Sequence, residues 1–133
     1  MRDRRHRGEL PDRRGNFRLT PEAFDAACRA LPAVTMDVQW GEDQVYKVGG
    51  RMFAVLGPAA HGVSLKVSDI AFEALVEMGV ARPAPYLARA KWLRFDDLAA
   101  VDEGDMADWL ASAHAIVAAK LTRAARRALG LQS

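Results

Sequence analysis

Two runs rich in β-branched and aromatic residues, Val45-Tyr46-Lys47-Val48 and Arg51-Met52-Phe53-Ala54-Val55, meet at Gly49-Gly50. A two-residue connection of this kind needs positive φ angles, which glycine enters without steric cost, so the segment reads as a β-hairpin. That reading fixes a register. Val48 faces Arg51, Lys47 faces Met52, Tyr46 faces Phe53 and Val45 faces Ala54, each pair sharing one side of the sheet. Lys47 and Arg51 therefore point to opposite faces, and Tyr46 with Phe53 is the core-facing pair.

Helices and further strands surround the hairpin. Thr20-Pro21-Glu22 carries a cap, a first-turn proline and an acid suited to the positive end of the dipole, and Phe24, Ala27, Cys28 and Leu31 follow at helical spacing up to Pro32. From Thr35 to Trp40, apolar Met36, Val38 and Trp40 alternate with polar residues, which predicts a half-buried strand. Gly62 to Val67 gives another strand after a loop at 57–62. Ser68 then caps a helix whose apolar face is Phe72, Leu75 and Val76, ended by Gly79. Residues 82–86 are too proline-rich to continue it, and Trp92 to Phe95 forms a short strand. From about Asp102 to Leu129, Met106, Trp109, Leu110, Ala113, Val117, Leu121 and Ala124 predict one helix roughly 37 Å long.

The expected fold is α+β. It has two layers, a mainly antiparallel sheet covered by N-terminal, middle and long C-terminal helices in the order α-β-β-β-β-α-β-α. A chain of 133 residues supports one such domain, placed at 19–133. Residues 1–18 are expected to form a disordered arginine-rich tail, having little to bury. Those 18 residues hold seven arginines against three acids, which leaves 12 basic and 14 acidic residues in 19–133, a balance of 12 − 14 = −2. The tail reads either as an arm that touches phosphates or as a solvated leader.

Several chemistries find no pattern in the sequence. Cys28 is the single cysteine, which rules out an intrachain disulfide and a cysteine-based zinc site, and it reads as a small buried thiol. His6, His61 and His114 show no metal-ligand spacing, so no metal is expected. Ser112 and His114 sit about 200° apart on a helix, out of reach as nucleophile and base. No catalytic residues and no cofactor are assigned. No apolar run approaches the roughly 20 residues of a membrane span, and a cytoplasmic protein without membrane association is expected.

Trp40, the hairpin 45–54, Leu65-Lys66, Pro85-Tyr86-Leu87 with Lys91-Trp92, and Leu110-Ala111-Ser112 form an ordered series that resembles the MmcQ/YjbR family across nearly all of residues 19–133. The resemblance implies a compact α+β layer, compared with bacterial frataxin homologues and described as a double wing, and a non-catalytic DNA-binding role. The positions it suggests for phosphate contact are Lys47, Arg51, Lys66, Arg89, Lys91 and Arg94, with Tyr86 and Trp92 as aromatic anchors or stacking groups. Tyr86 stands where members often carry histidine, and His114 where a tyrosine commonly follows the serine, so a histidine-dependent site does not carry over. Iron binding is not implied, because the first helix has only Glu22 and Asp25. Two partner classes stay open, DNA and a protein partner, with a small-ligand binder or enzyme as a third reading. A monomer or weak dimer is expected.

Overall fold

The computed structural model describes residues 17–58, 62–85 and 87–131. Its elements run α1 (Pro21–Arg29), β1 (Val34–Gln39), β2 (Asp43–Val48), β3 (Arg51–Leu56), β4 (Val63–Lys66), α2 (Asp69–Glu77), β5 (Arg82–Pro83), β6 (Trp92–Phe95), α3 (Glu103–Ala118) and α4 (Arg123–Ala128), with short 3-10 turns at Ala88–Ala90 and Leu98–Ala100. The fold is α+β, as the sequence predicts. Six antiparallel strands form one sheet in the order β1-β2-β3-β4-β6-β5. β5 is an addition to the expected five strands. Its two residues pair with Leu93 and Arg94, and a proline is tolerated there because β5 is an edge.

Local chemistry sets the element ends. Thr20 Oγ1 accepts from the Ala23 N–H at 3.0 Å, and Ser68 Oγ accepts from the Ala71 N–H at 3.1 Å, so each satisfies a first-turn donor that the helix itself cannot. Asp102 does the same for Asp105 at the start of α3. The sheet buries one face against the helices. Tyr46, Val48, Phe53, Ala54, Leu65, Leu93 and Phe95 meet Phe24 and Cys28 of α1 and Met106, Leu110 and Ala113 of α3 in one apolar cluster. Val45, Ala84 and Trp92 are buried apart from that cluster, on the second face.

Three details depart from the sequence reading. First, the hairpin carries a bulge. Val48 pairs with Arg51 and Lys47 with Met52, but Tyr46 then pairs with Ala54 and Val45 with Val55. Phe53 is the extra residue, and the irregularity lets both Tyr46 and Phe53 reach the helix side, each fully buried. Second, Val38 and Trp40 are not half-buried but 60% and 65% exposed. β1 is an edge strand, and the chain turns at Trp40 (φ 49°) and Gly41 (φ 91°), so Trp40 leaves the alternation.

Third, the expected single helix to Leu129 is two. α3 ends at Ala118, and Thr122 adopts an extended conformation (ψ 159°), its side chain accepting from the Ala125 N–H. A threonine that caps is not available to continue a helix, and the break lets Leu121 turn into the core at 8% exposure. Beyond it the periodic face is lost: Ala124 is exposed and Ala125 is the half-buried residue.

Phe17 and Arg18, assigned from sequence to the tail, already pair with the body. Leu19 N–H donates to Val101 O and Glu103 N–H to Phe17 O, both at 2.8 Å, and Leu19 is buried. The rest of the arginine-rich stretch, with His6, lies outside the described residues, as do His61 and Tyr86.

Candidate functional site

The antiparallel register sorts the charges of the folded chain by end. At one end lie the hairpin tip, the C-terminal end of β4, the N-terminal end of β6 and the close of α3. Val34 pairs with Val48 beside the tip, Lys66 pairs with Trp92, and Leu121 packs on Gly49. This end carries Arg51, Lys66, Arg89, Lys91, Lys120 and Arg123. The opposite end holds the β1–β2 turn, the close of β6 and the start of α3, and so collects Glu42, Asp43, Asp96, Asp97, Asp102, Glu103 and Asp105. A net charge near −2 therefore conceals a basic excess at one end, where Asp69 also lies, and an acidic excess at the other, where Arg18, Arg82 and Arg94 also lie.

The basic pole is tightest at Lys66. Its ammonium donates to the Ala90 carbonyl. Burial, first, and then the neighbouring charges of Lys120 and Lys91 push its pKa below the ordinary lysine value, with Asp69 opposing them. Lys91, from the β6 approach, and Lys120, from the end of α3, are thus both close enough to act on the Lys66 ammonium. Lys91 reaches this position from a left-handed backbone (φ 62°), and its Nζ sits 4.9 Å from the centre of the Phe72 ring, an attractive cation–π distance. Arg51 and Arg89 are exposed nearby in the fold.

Of the cations singled out from sequence, Lys66, Arg89, Lys91 and Arg51 fall at this pole. Lys47 and Arg94 do not join them. Lys47 pairs with Asp37 of β1 at 3.2 Å. Arg94 lies toward the acidic end, where its Nε donates to Asp96 Oδ1 at 2.8 Å while Arg82 Nε donates to Asp96 Oδ2 at 2.6 Å. The two guanidinium groups, Arg82 first, hold the Asp96 carboxyl down to about 2. Trp92 is buried at 5% exposure, which makes it a packing group within the sheet and not an open stacking platform. Lys120, just past the end of α3, is not among the cations singled out from sequence, and its charge reaches Lys66. Its signal was present, because a helix that starts at the close of β6 and spans the sheet must finish beside the hairpin tip.

A second feature lies on the face away from the main cluster. Val55, Ser64 and Arg94 occupy adjacent strands in register, and with Trp40, Asp43 and Leu87 they line a shallow cleft of about 210 Å³. Trp40 is exposed on its rim. Among the described residues no three histidine, cysteine or acidic side chains stand together as a metal site, and no helix is long and apolar enough to cross a membrane.

Fold and charge layout together define a single-sheet α+β domain with oppositely charged ends. The chain belongs to the YjbR family, whose model matches residues 29–116, well over half of its length. It is similar in structure to the Deinococcus radiodurans protein DR2400, a crystal structure described with a DUF419 domain, at a TM-score of 0.74 and 25% identity over 86% of this chain and 90% of that one. No curated protein matches the sequence.

Proposed function

We propose that the chain binds DNA without acting on it chemically, and that the basic pole is the contact. The observation that carries this reading is the convergence of Lys66, Lys91 and Lys120 from three separate elements, where burial first, and then the charges of Lys120 and Lys91 against that of Asp69, lower the pKa of Lys66. Gathering like charges costs free energy in the free protein, and a polyanion offsets that cost while releasing its own condensed counterions. Arg51, Arg89 and Arg123, exposed at the same end, widen the pole. The contacts are to phosphate, so they position the domain and carry little sequence information. Lys47 and Arg94, already paired with acids, contribute less than the resemblance implied.

The test is fluorescence anisotropy of a labelled duplex over a salt series with the full chain. Replacing Lys66, Lys91 and Lys120 together by alanine should weaken binding and flatten the slope of log K against log salt by roughly two to three units, at about 0.9 per phosphate contact. Lys47→Ala should change little. A further variant, with the six arginines from Arg2 to Arg14 replaced by glutamine, separates the two basic regions. If the triple lysine variant binds as the parent does, or if nothing binds at low salt, the reading fails.

A further inference from the structure

The break between α3 and α4 creates a groove that a continuous helix would not have. Beyond Thr122 the chain returns along α3, and Leu131 packs against the main cluster. Gly130, in a left-handed conformation (φ 75°), lets the Leu131 N–H donate to Arg126 O at 2.8 Å. Between this returning segment, α3 and the end of α1 lies a cavity of about 550 Å³, lined by Pro32, His114, Ala115, Ala118, Arg126 and Leu131 among others. Its size and its mainly apolar wall with a few polar groups are those of a small-molecule site.

Two side chains give it polarity. His114 is the one buried polar or charged side chain among the described residues, at 6% exposure. Its Nε2 lies 2.8 Å from the Pro32 carbonyl. A carbonyl can only accept, so Nε2 carries the hydrogen. Arg126 is the one charged side chain on the wall. Its Nη1 donates to Leu121 O at 2.6 Å and Ala119 O at 3.3 Å, while its Nε is buried with no hydrogen-bond partner. Among the described residues no carboxylate is paired with it. A partly buried guanidinium held by carbonyls alone is a cation with no paired carboxylate among the described residues.

We infer that this groove binds a small apolar carboxylic acid, the hydrocarbon lying along Pro32, Ala115, Ala118 and Leu131 and the carboxylate facing Arg126. Charge complementarity selects the acid over a neutral or cationic ligand of the same shape. The groove adjoins Lys120 and Arg123 of the basic pole, but neither side chain lines it, and the inference does not rest on DNA binding.

Decanoate, below its micelle concentration, and decanol, which has the same chain without the charge, are the probes. Each is titrated into the full chain and followed by NMR of the alanine methyls and the His114 ring. Saturable shifts at Ala115, Ala118 and His114 with decanoate are expected, with decanol binding at least about tenfold more weakly, the effect of losing one charge-assisted hydrogen bond. Arg126→Gln should weaken decanoate to a similar degree. Because Arg126 also holds the end of α3, Ala115→Phe provides a second variant: the position is exposed, so the fold should persist while the groove is filled and the shifts vanish. Absence of saturable binding, equal binding of decanol, or full binding by a folded Ala115→Phe variant would each overturn the inference.

Discussion

Gly49 and Leu121, far apart in sequence, are in van der Waals contact at the basic pole, and the contact leaves no space for a side chain at 49. A Cβ built on Gly49 would stand 2.6 Å from Leu121 Cδ1, and the glycine has φ 59°. Gly50, with φ 81°, would place a Cβ in open space. The hairpin tip is therefore both a turn and a docking surface for the end of α3. Gly49→Ala should cost about 2–3 kcal/mol, from left-handed strain together with overpacking, whereas Gly50→Ala should cost only about 1 kcal/mol from strain. Urea unfolding measures both. Combined with Leu121→Ala, the Gly49→Ala change should be less costly than in the parent, because the clash is gone, and additive behaviour would show that the contact is not the cause.

Thr122 should matter through its side chain alone. Its hydroxyl accepts from the Ala125 N–H at 3.0 Å, and α4 is only six residues long, too short to hold itself together in water. Thr122→Ala should cost about 1 kcal/mol and speed amide exchange selectively in 123–129, with Thr122→Ser restoring most of the protection. Uniform acceleration across α3 as well would mean that the two helices open as one unit.

Most of the architecture could be read from sequence because it is governed by local chemistry: Thr20 and Ser68 cap, Gly49-Gly50 turns, and Met106, Leu110, Ala113 and Val117 repeat at helical spacing. What could not be read depends on partners remote in sequence. The pattern through 121 and 124 looks helical, yet Leu121 is drawn into the core by Gly49, and Thr122 caps instead of propagating. The Phe53 bulge is likewise a tertiary result, since it brings Phe53 against the His114 ring, with centres 5.5 Å apart in an edge-on arrangement. Site residues were the least legible. The family resemblance suggested Lys47 and Arg94, but Asp37 and Asp96 pair with them, and the fold brings Lys120 to Lys66.

Tyr46 links the sheet to α1 through a hydrogen bond between buried and solvated layers. Its hydroxyl donates to Asp25 Oδ1 at 2.6 Å and lies 2.9 Å from Gln44 Oε1, while its ring meets Phe24 edge-on at 5.8 Å. Burial, and then the Asp25 hydrogen bond, raise the phenol pKa well above its usual value. Tyr46→Phe keeps the ring packing and removes the hydroxyl, so it should cost about 1–2 kcal/mol. Asp25 retains Arg29, whose Nε sits 2.9 Å from its Oδ1, and is not left unsatisfied. A loss well above that range in urea unfolding would mean that the hydroxyl also sets the position of α1.

Asp96 provides a pH signature for the acidic end. Hydrogen bonding to Arg82, and secondarily to Arg94, lowers its pKa from 3.8 to about 2. A carboxylate whose folded pKa lies below its unfolded one contributes stability that is fully present above the unfolded value. That contribution diminishes as pH falls from about 4 and is lost as pH passes about 2. Because the pair is half exposed, at 52% and 54%, its worth in water is small and salt should reduce it further. The Asp96 carboxyl carbon, followed by NMR, should titrate with a midpoint near 2 at low ionic strength and move upward when salt is added or when Arg82 is replaced by glutamine. A midpoint that stays near the ordinary aspartate value in the parent protein would show that the two arginines do not hold it.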